Sequence, residues 1–88
     1  MFNLFTNLDH LKLSNNRVDG KAANALSQCE NLKGLSILDI KGCHLSDKGL
    51  EMMMKAHFVS SLKTLILEAN DLTDEGAVCL SRAPLFNL

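Results

Sequence analysis

The sequence predicts an α/β solenoid with parallel strands on the concave face and helices on the convex face, in about three units of 27 residues. Three observations predict it. The pattern LxxLxLxxNxL occurs at Leu62, Leu65, Leu67, Asn70 and Leu72. It recurs at Leu35, Leu38, Ile40, Cys43 and Leu45, and at Leu8, Leu11, Leu13, Asn16 and Val18. The copies begin at residues 8, 35 and 62, so both steps are 27 residues with no gap. Within each copy the apolar period then changes from two to that of a helix, as strand-then-helix units require.

The units follow in order. Residues 1–7 read as the tail of a preceding unit, because Phe5 aligns with Leu32, Val59 and Phe86. Residues 8–34, 35–61 and 62–88 are the three units of one domain. In His10–Ser14, polar and apolar residues alternate, which predicts a short strand with one buried face. The second half of each unit predicts a helix. Asp19, Ser46 or Asp47, and Thr73 or Asp74 are the candidate N-caps. Ala22, Ala23 and Leu26 face inward in the first helix, Leu50, Met53 and Met54 in the second, Ala77 and Leu80 in the third. Leu26, Met53 and Leu80 form one column, and Cys29, Ala56 and Ala83 another. Pro84 is expected to stop the third helix. Neither half buries its apolar face alone, so stacking builds the core. A helical crossover between successive strands makes them parallel.

LxxLxLxxN/CxL followed by a turn such as LTDEGA and a helix resembles the ribonuclease-inhibitor-like class of leucine-rich repeats. LSDKGL stands at that turn in the second copy and VDGKAA, with Ala22 in place of Gly49 and Gly76, in the first. The resemblance spans residues 8–88 and implies a curved solenoid that binds other proteins. Members include innate-immune sensors, actin regulators, activators of small GTPases and bacterial effectors. It also implies that Asn16, Cys43 and Asn70 form a ladder satisfying the backbone of the turn that leaves each strand.

Composition bounds the function. The 88 residues carry nine basic and ten acidic side chains, a net charge of −1, so no basic footprint for nucleic acid is present. No Lys/Arg run or long apolar stretch points to a membrane. MFNLFTN has no basic n-region. Three cysteines without paired spacing argue against a disulfide framework. The expected setting is therefore the cytoplasm, or a host cytosol for a protein delivered by a pathogen.

No catalytic constellation, metal site or cofactor is expected. Cys43 and His44 are adjacent, but a turn points such neighbours apart. His10, His44 and His57 fall on three different regions. Glu68, Asp71, Asp74 and Glu75 lack the spacing of a calcium loop. Met52, Met53 and Met54 could form a pliable binding surface, but they read as part of the outer helix of the second unit, with Met53 in the core. Alternation instead directs three columns onto the concave face: His10, Ile37 and Thr64; Lys12, Asp39 and Ile66; Ser14, Lys41 and Glu68. Lys12–Asp39 and Lys41–Glu68 are expected as cross-strand pairs. Ile37 and Ile66, apolar on a polar face, are the candidate anchors for a protein partner. Two other readings stand beside this one. The chain could serve as an internal segment of a longer solenoid, with uncapped ends that self-associate, or as part of a small-GTPase activator using Arg17 or Arg82.

Overall fold

A computed structural model describes residues 8–88. Three strands, β1 (His10–Lys12), β2 (Ile37–Asp39) and β3 (Thr64–Ile66), form one parallel sheet in the order β1-β2-β3. His10 pairs with Ile37 and Ile37 with Thr64; Lys12 pairs with Asp39 and Asp39 with Ile66. The strands therefore stack in the register of the sequence frame. Helices α1 (Gly20–Ser27), α2 (Ser46–Met53) and α3 (Asp74–Arg82) pack one on the next. After α1 and α2 the chain makes 3-10 turns, Glu30–Leu32 and His57–Ser61, which also stack. The alignment of Phe5 lies outside the described residues.

The core centres on the middle copy. Leu35, Leu38, Ile40, Leu45, Leu50, Met53 and Leu62 are fully buried, with Phe58 and Val59 from the second 3-10 turn. Their equivalents before and after, such as Leu11, Leu65 and Leu80, are only half-buried. The physical reason is one-dimensional packing: among the described residues the middle layer is covered on two sides and each flanking layer on one. This corrects the inward placement of Ala77, which is exposed on α3 although its equivalents Ala23 and Leu50 are buried.

The strands are three residues long because each turns out of the sheet soon afterwards. Asn15, Gly42 and Ala69, one per copy, have φ of 63°, 65° and 58°. The left-handed turn aims the next side chain, that of Asn16, Cys43 or Asn70, back under the sheet. Glycine and asparagine take this conformation readily; for Ala69 it costs roughly 1 kcal/mol.

Asn70 completes the ladder. Its amide Nδ2 donates to the carbonyls of Ile40 (2.6 Å), Leu67 (2.9 Å) and Glu68 (3.2 Å). Its Oδ1 accepts the N–H groups of Cys43 (2.9 Å) and Leu45 (3.1 Å). Cys43 reproduces the donor half, its thiol meeting the Leu13 carbonyl at 3.0 Å. A thiol accepts poorly, and the N–H of Val18 instead goes to the main-chain oxygen of Cys43 at 2.9 Å. Asn16 departs from the expected buried amide. It is exposed and keeps only local bonds, to the carbonyls of Leu13 (3.1 Å) and Ser14 (3.4 Å).

The helix starts divide between local and cross-copy caps. Asp19 accepts the Ala22 N–H at 3.0 Å and Thr73 the Glu75 N–H at 3.4 Å. At α2 the N-cap position falls on Leu45, which has no capping side chain, rather than on Ser46 or Asp47 as expected. Ser46 opens the helix, and its Oγ accepts the Gly49 N–H at 3.4 Å. Asp47 reaches forward instead. Its Oδ1 accepts the Thr73 N–H at 2.9 Å and its Oδ2 accepts the Thr73 hydroxyl, so a carboxylate from α2 sits on the positive end of α3. Gly76 leaves room for it: a Cβ there would stand 2.5 Å from Asp47 Oδ1. Gly49 has the same need, since its Cβ would lie 2.8 Å from Leu45 Cδ1. At its other end α3 stops at Arg82, with Ala83 extended before Pro84.

Two outcomes test this account. Asn70→Ala strands several buried N–H and C=O groups and is expected to cost about 3 kcal/mol, whereas Asn16→Ala costs under about 1 kcal/mol; urea unfolding of both variants measures the contrast. The hydroxyl of Thr73, then its N–H, holds the Asp47 carboxyl below its usual 3.8, against partial desolvation and with help from the Gly76 N–H. A carboxylate with a depressed folded pKa stabilises above the unfolded pKa and loses that contribution as pH falls through the folded one. Melting temperature should therefore fall on acidification below about pH 4, and Asp47→Asn should flatten that part of the profile.

Candidate functional site: the open face of the sheet

Strand alternation divides the sheet into two faces. Leu11, Leu38 and Leu65 turn toward the helices and join the core. The opposite face carries the nine residues expected there, in three rows across the strands. His10, Ile37 and Thr64 form one row, and Lys12, Asp39 and Ile66 the next. Ser14, Lys41 and Glu68 follow in the turns just beyond. His10, Lys12, Lys41, Thr64 and Glu68 are exposed, and Ser14, Ile37 and Ile66 are half-buried.

Asp39 departs from the expected exposed column. It is only 8% exposed, and its Oδ1 accepts the Lys41 N–H at 3.1 Å. The carboxylate is turned along its own strand to satisfy the main chain where β2 gives way to the turn at Gly42. Neither expected pair forms: among the described residues no ion pair joins Lys12 to Asp39 or Lys41 to Glu68. The ion pairs among the described residues lie elsewhere. His44 Nδ1 stands 3.7 Å from Asp71 Oδ2, and Lys48 Nζ stands 3.8 Å from Glu51 Oε1. All four groups are largely exposed, so neither contact adds much stability.

The face therefore has a small apolar centre, Ile37 diagonal to Ile66, with a withdrawn carboxylate beside them. Lys12 and Lys41, in no ion pair among the described residues, flank it toward β1 and the turn after β2, and Glu68 closes the third corner. Such a surface offers apolar contact area and charged rim groups. It offers no nucleophile with a base.

Cys43 and His44 confirm the separation expected of a turn. The thiol is buried and bonded to Leu13 and Lys41 carbonyls, while the imidazole is exposed beside Asp71. His10 lies in β1 and His57 opens the second 3-10 turn. Among the described residues no three His, Cys, Asp or Glu side chains gather as a metal-ligand set. Arg17 is exposed on the turn after β1 and Arg82 on the last turn of α3, in separate parts of the fold. No helix among the described residues is long and apolar enough to cross a membrane.

Two concavities among the described residues lie on the helix side, which the sequence did not single out. Met54, Lys55, Val78, Cys79, Arg82 and Pro84 line a groove between α2 and α3. Asn24, Gln28, Met52, Lys55 and His57 line another between α1 and α2. Burial pushes the Cys79 thiol up, with the charges of Glu51 and Asp47 adding to the effect and Lys55 opposing it. The groove thiol is thus held in its less reactive form.

An open parallel sheet with a stacked layer of helices defines an α/β repeat solenoid. Family models described as leucine-rich repeats match residues 34–54 and 60–81, and residues 7–29. They cover most of the chain, which therefore belongs to the leucine-rich-repeat proteins. No curated protein and no solved structure matches it. Leucine-rich repeats commonly mediate protein–protein interaction and are typically non-enzymatic binding modules.

The thiols give a check on this chemistry. In the folded protein Cys43 should resist an alkylating reagent until the chain unfolds, while Cys79 reacts slowly at neutral pH and faster as pH rises. Mass mapping of the alkylated sites reads this out, and early labelling of Cys43 would contradict its buried place in the ladder.

Proposed function

We propose that this protein is a binding module of the ribonuclease-inhibitor-like class that holds a protein partner on the open, concave face of its sheet. The observation that carries this reading is the pair Ile37 and Ile66. On a face otherwise made of polar and charged side chains, these two keep part of their apolar surface in water. An apolar centre with a charged rim is the arrangement in which a few central contacts supply most of the binding energy. The repeats of residues 8–34, 35–61 and 62–88 each contribute one strand to the surface. Its contact residues are His10, Lys12, Ser14, Ile37, Asp39, Lys41, Thr64, Ile66 and Glu68. Asp39 acts by shaping the face and the rest by direct contact.

Three free thiols, Cys29, Cys43 and Cys79, fit a reducing compartment and support a cytoplasmic setting. The binding chemistry calls for no nucleic acid, membrane or cofactor.

The test compares the wild-type chain with Ile37→Asp/Ile66→Asp in selection against a displayed library of protein fragments. Binders selected on the wild type should lose at least about tenfold in affinity on the double variant, or 1.4 kcal/mol. Ile37→Thr/Ile66→Thr keeps β-branching and serves as the control for folding, with an unchanged far-UV spectrum. Binders that hold both variants as tightly as the wild type would place the binding surface elsewhere.

A further inference from the structure

The groove between α2 and α3 differs in chemistry from the one between α1 and α2. The α1–α2 groove is largely polar, and part of its lining is already bonded. Gln28 Nε2 donates to Asn24 Oδ1 at 3.2 Å, and Ser27 Oγ donates to the Asn24 carbonyl at 2.7 Å. One layer on, Val78 stands at the place of Asn24 and Glu51, and Pro84 at that of Glu30 and His57. Met54, Val78, Cys79, Ala83 and Pro84 give the second groove an apolar lining around a volume of about 350 Å³. Val78 is 49% exposed. This exposure follows from its column and not from its layer. Glu51, at the same place in the middle copy, is exposed with a layer on either side. Lys55 and His57, the equivalents of Arg82 and Pro84, are exposed in that copy too.

Charge runs along the groove in one sense. Lys55 follows Glu51 just beyond the end of α2, and Arg82 follows Glu75 on the last turn of α3. All four line the groove, with the carboxylates toward one end and the cations toward the other. Neither Lys55 nor Arg82 is in an ion pair among the described residues, and Glu51 has only its exposed contact to Lys48.

We propose that this groove is a second binding site, which takes an amphipathic helix of a protein partner. The helix lies antiparallel to α2 and α3, with acidic residues in its first turn and basic residues in its last. Apolar side chains on one of its faces pack on Val78, Cys79 and Pro84. Antiparallel packing brings its positive N-terminal end to the negative C-terminal ends of α2 and α3. The acidic first turn that suits its own dipole then meets Lys55 and Arg82, and the basic last turn meets Glu51 and Glu75. A parallel helix of the same sequence would set its acids beside Glu51 and Glu75. The groove lies on the helix layer, away from Ile37 and Ile66, so it can be filled while the sheet face is occupied.

Fluorescence anisotropy on the full chain tests the proposal with a labelled synthetic peptide of about 15 residues, long enough to form a helix. The peptide carries glutamates in its first turn, leucines at helical spacing on one face and lysines in its last turn. It should bind the wild type, and Val78→Asp should weaken it about tenfold by placing a charge on the apolar lining. Changing the first-turn glutamates to glutamine should weaken binding to the wild type about fivefold, the worth of two exposed ion pairs. The same change should have no effect on Lys55→Gln/Arg82→Gln, since its partners are then gone. All of these substitutions are at exposed positions, so the melting temperature should stay unchanged. A peptide that does not bind would overturn the proposal. So would full affinity for Val78→Asp, or glutamates whose effect is the same with and without Lys55 and Arg82.

Discussion

The fold depends on a buried amide. A strand that leaves a parallel sheet after three residues carries main-chain N–H and C=O groups into the core, away from water and out of any ladder. Asn70 offers donors and an acceptor from one side chain, and it joins the turn of its own copy to that of the copy before. The leucines drive stacking without direction; the amide gives the stack its register. Cys43 shows how much of that task a poorer group can do. It keeps the donor bond, and the main chain moves to supply the acceptor.

The same logic shapes the sheet face. Asp39 is the only charged residue among the described residues that is buried, and it is spent on the Lys41 N–H at the point where β2 ends. Asp39 therefore makes no ion pair with Lys12 among the described residues. A demand of the backbone thus takes one carboxylate out of the charge pattern of the sheet face. At the helix layer Asp47 plays a related part, because its carboxylate serves the next helix and Gly76 exists to admit it.

Much of the architecture was legible because it is periodic. The 27-residue frame predicted strand order, parallel pairing and register, and β1, β2 and β3 align residue for residue as the frame requires. Asp19 and Thr73 were recognisable as caps by residue type and place. The misses share a cause. Asp39 and Asp47 have side chains that reach a neighbour, and alternation or helix position says where a side chain starts, not which donor it finds. Asn16 and Ala77 occupy positions identical in the pattern to buried ones, yet lie on outer layers. Ala69 takes a left-handed turn that its residue type conceals, although Asn15 and Gly42 in the same column suggest it.

The sequence by itself determined the repeat, its period, the division of each copy into strand and helix, and the nine residues that share the sheet face. These follow from local periodicity, which a chain carries whatever surrounds it. Only the tertiary structure decided which of those residues remain in water, which carboxylates are committed to main-chain N–H groups, and which amides of the ladder are complete. Those outcomes depend on the layer before and the layer after. A residue repeated three times in one frame meets three different surroundings, and its chemistry follows the surroundings.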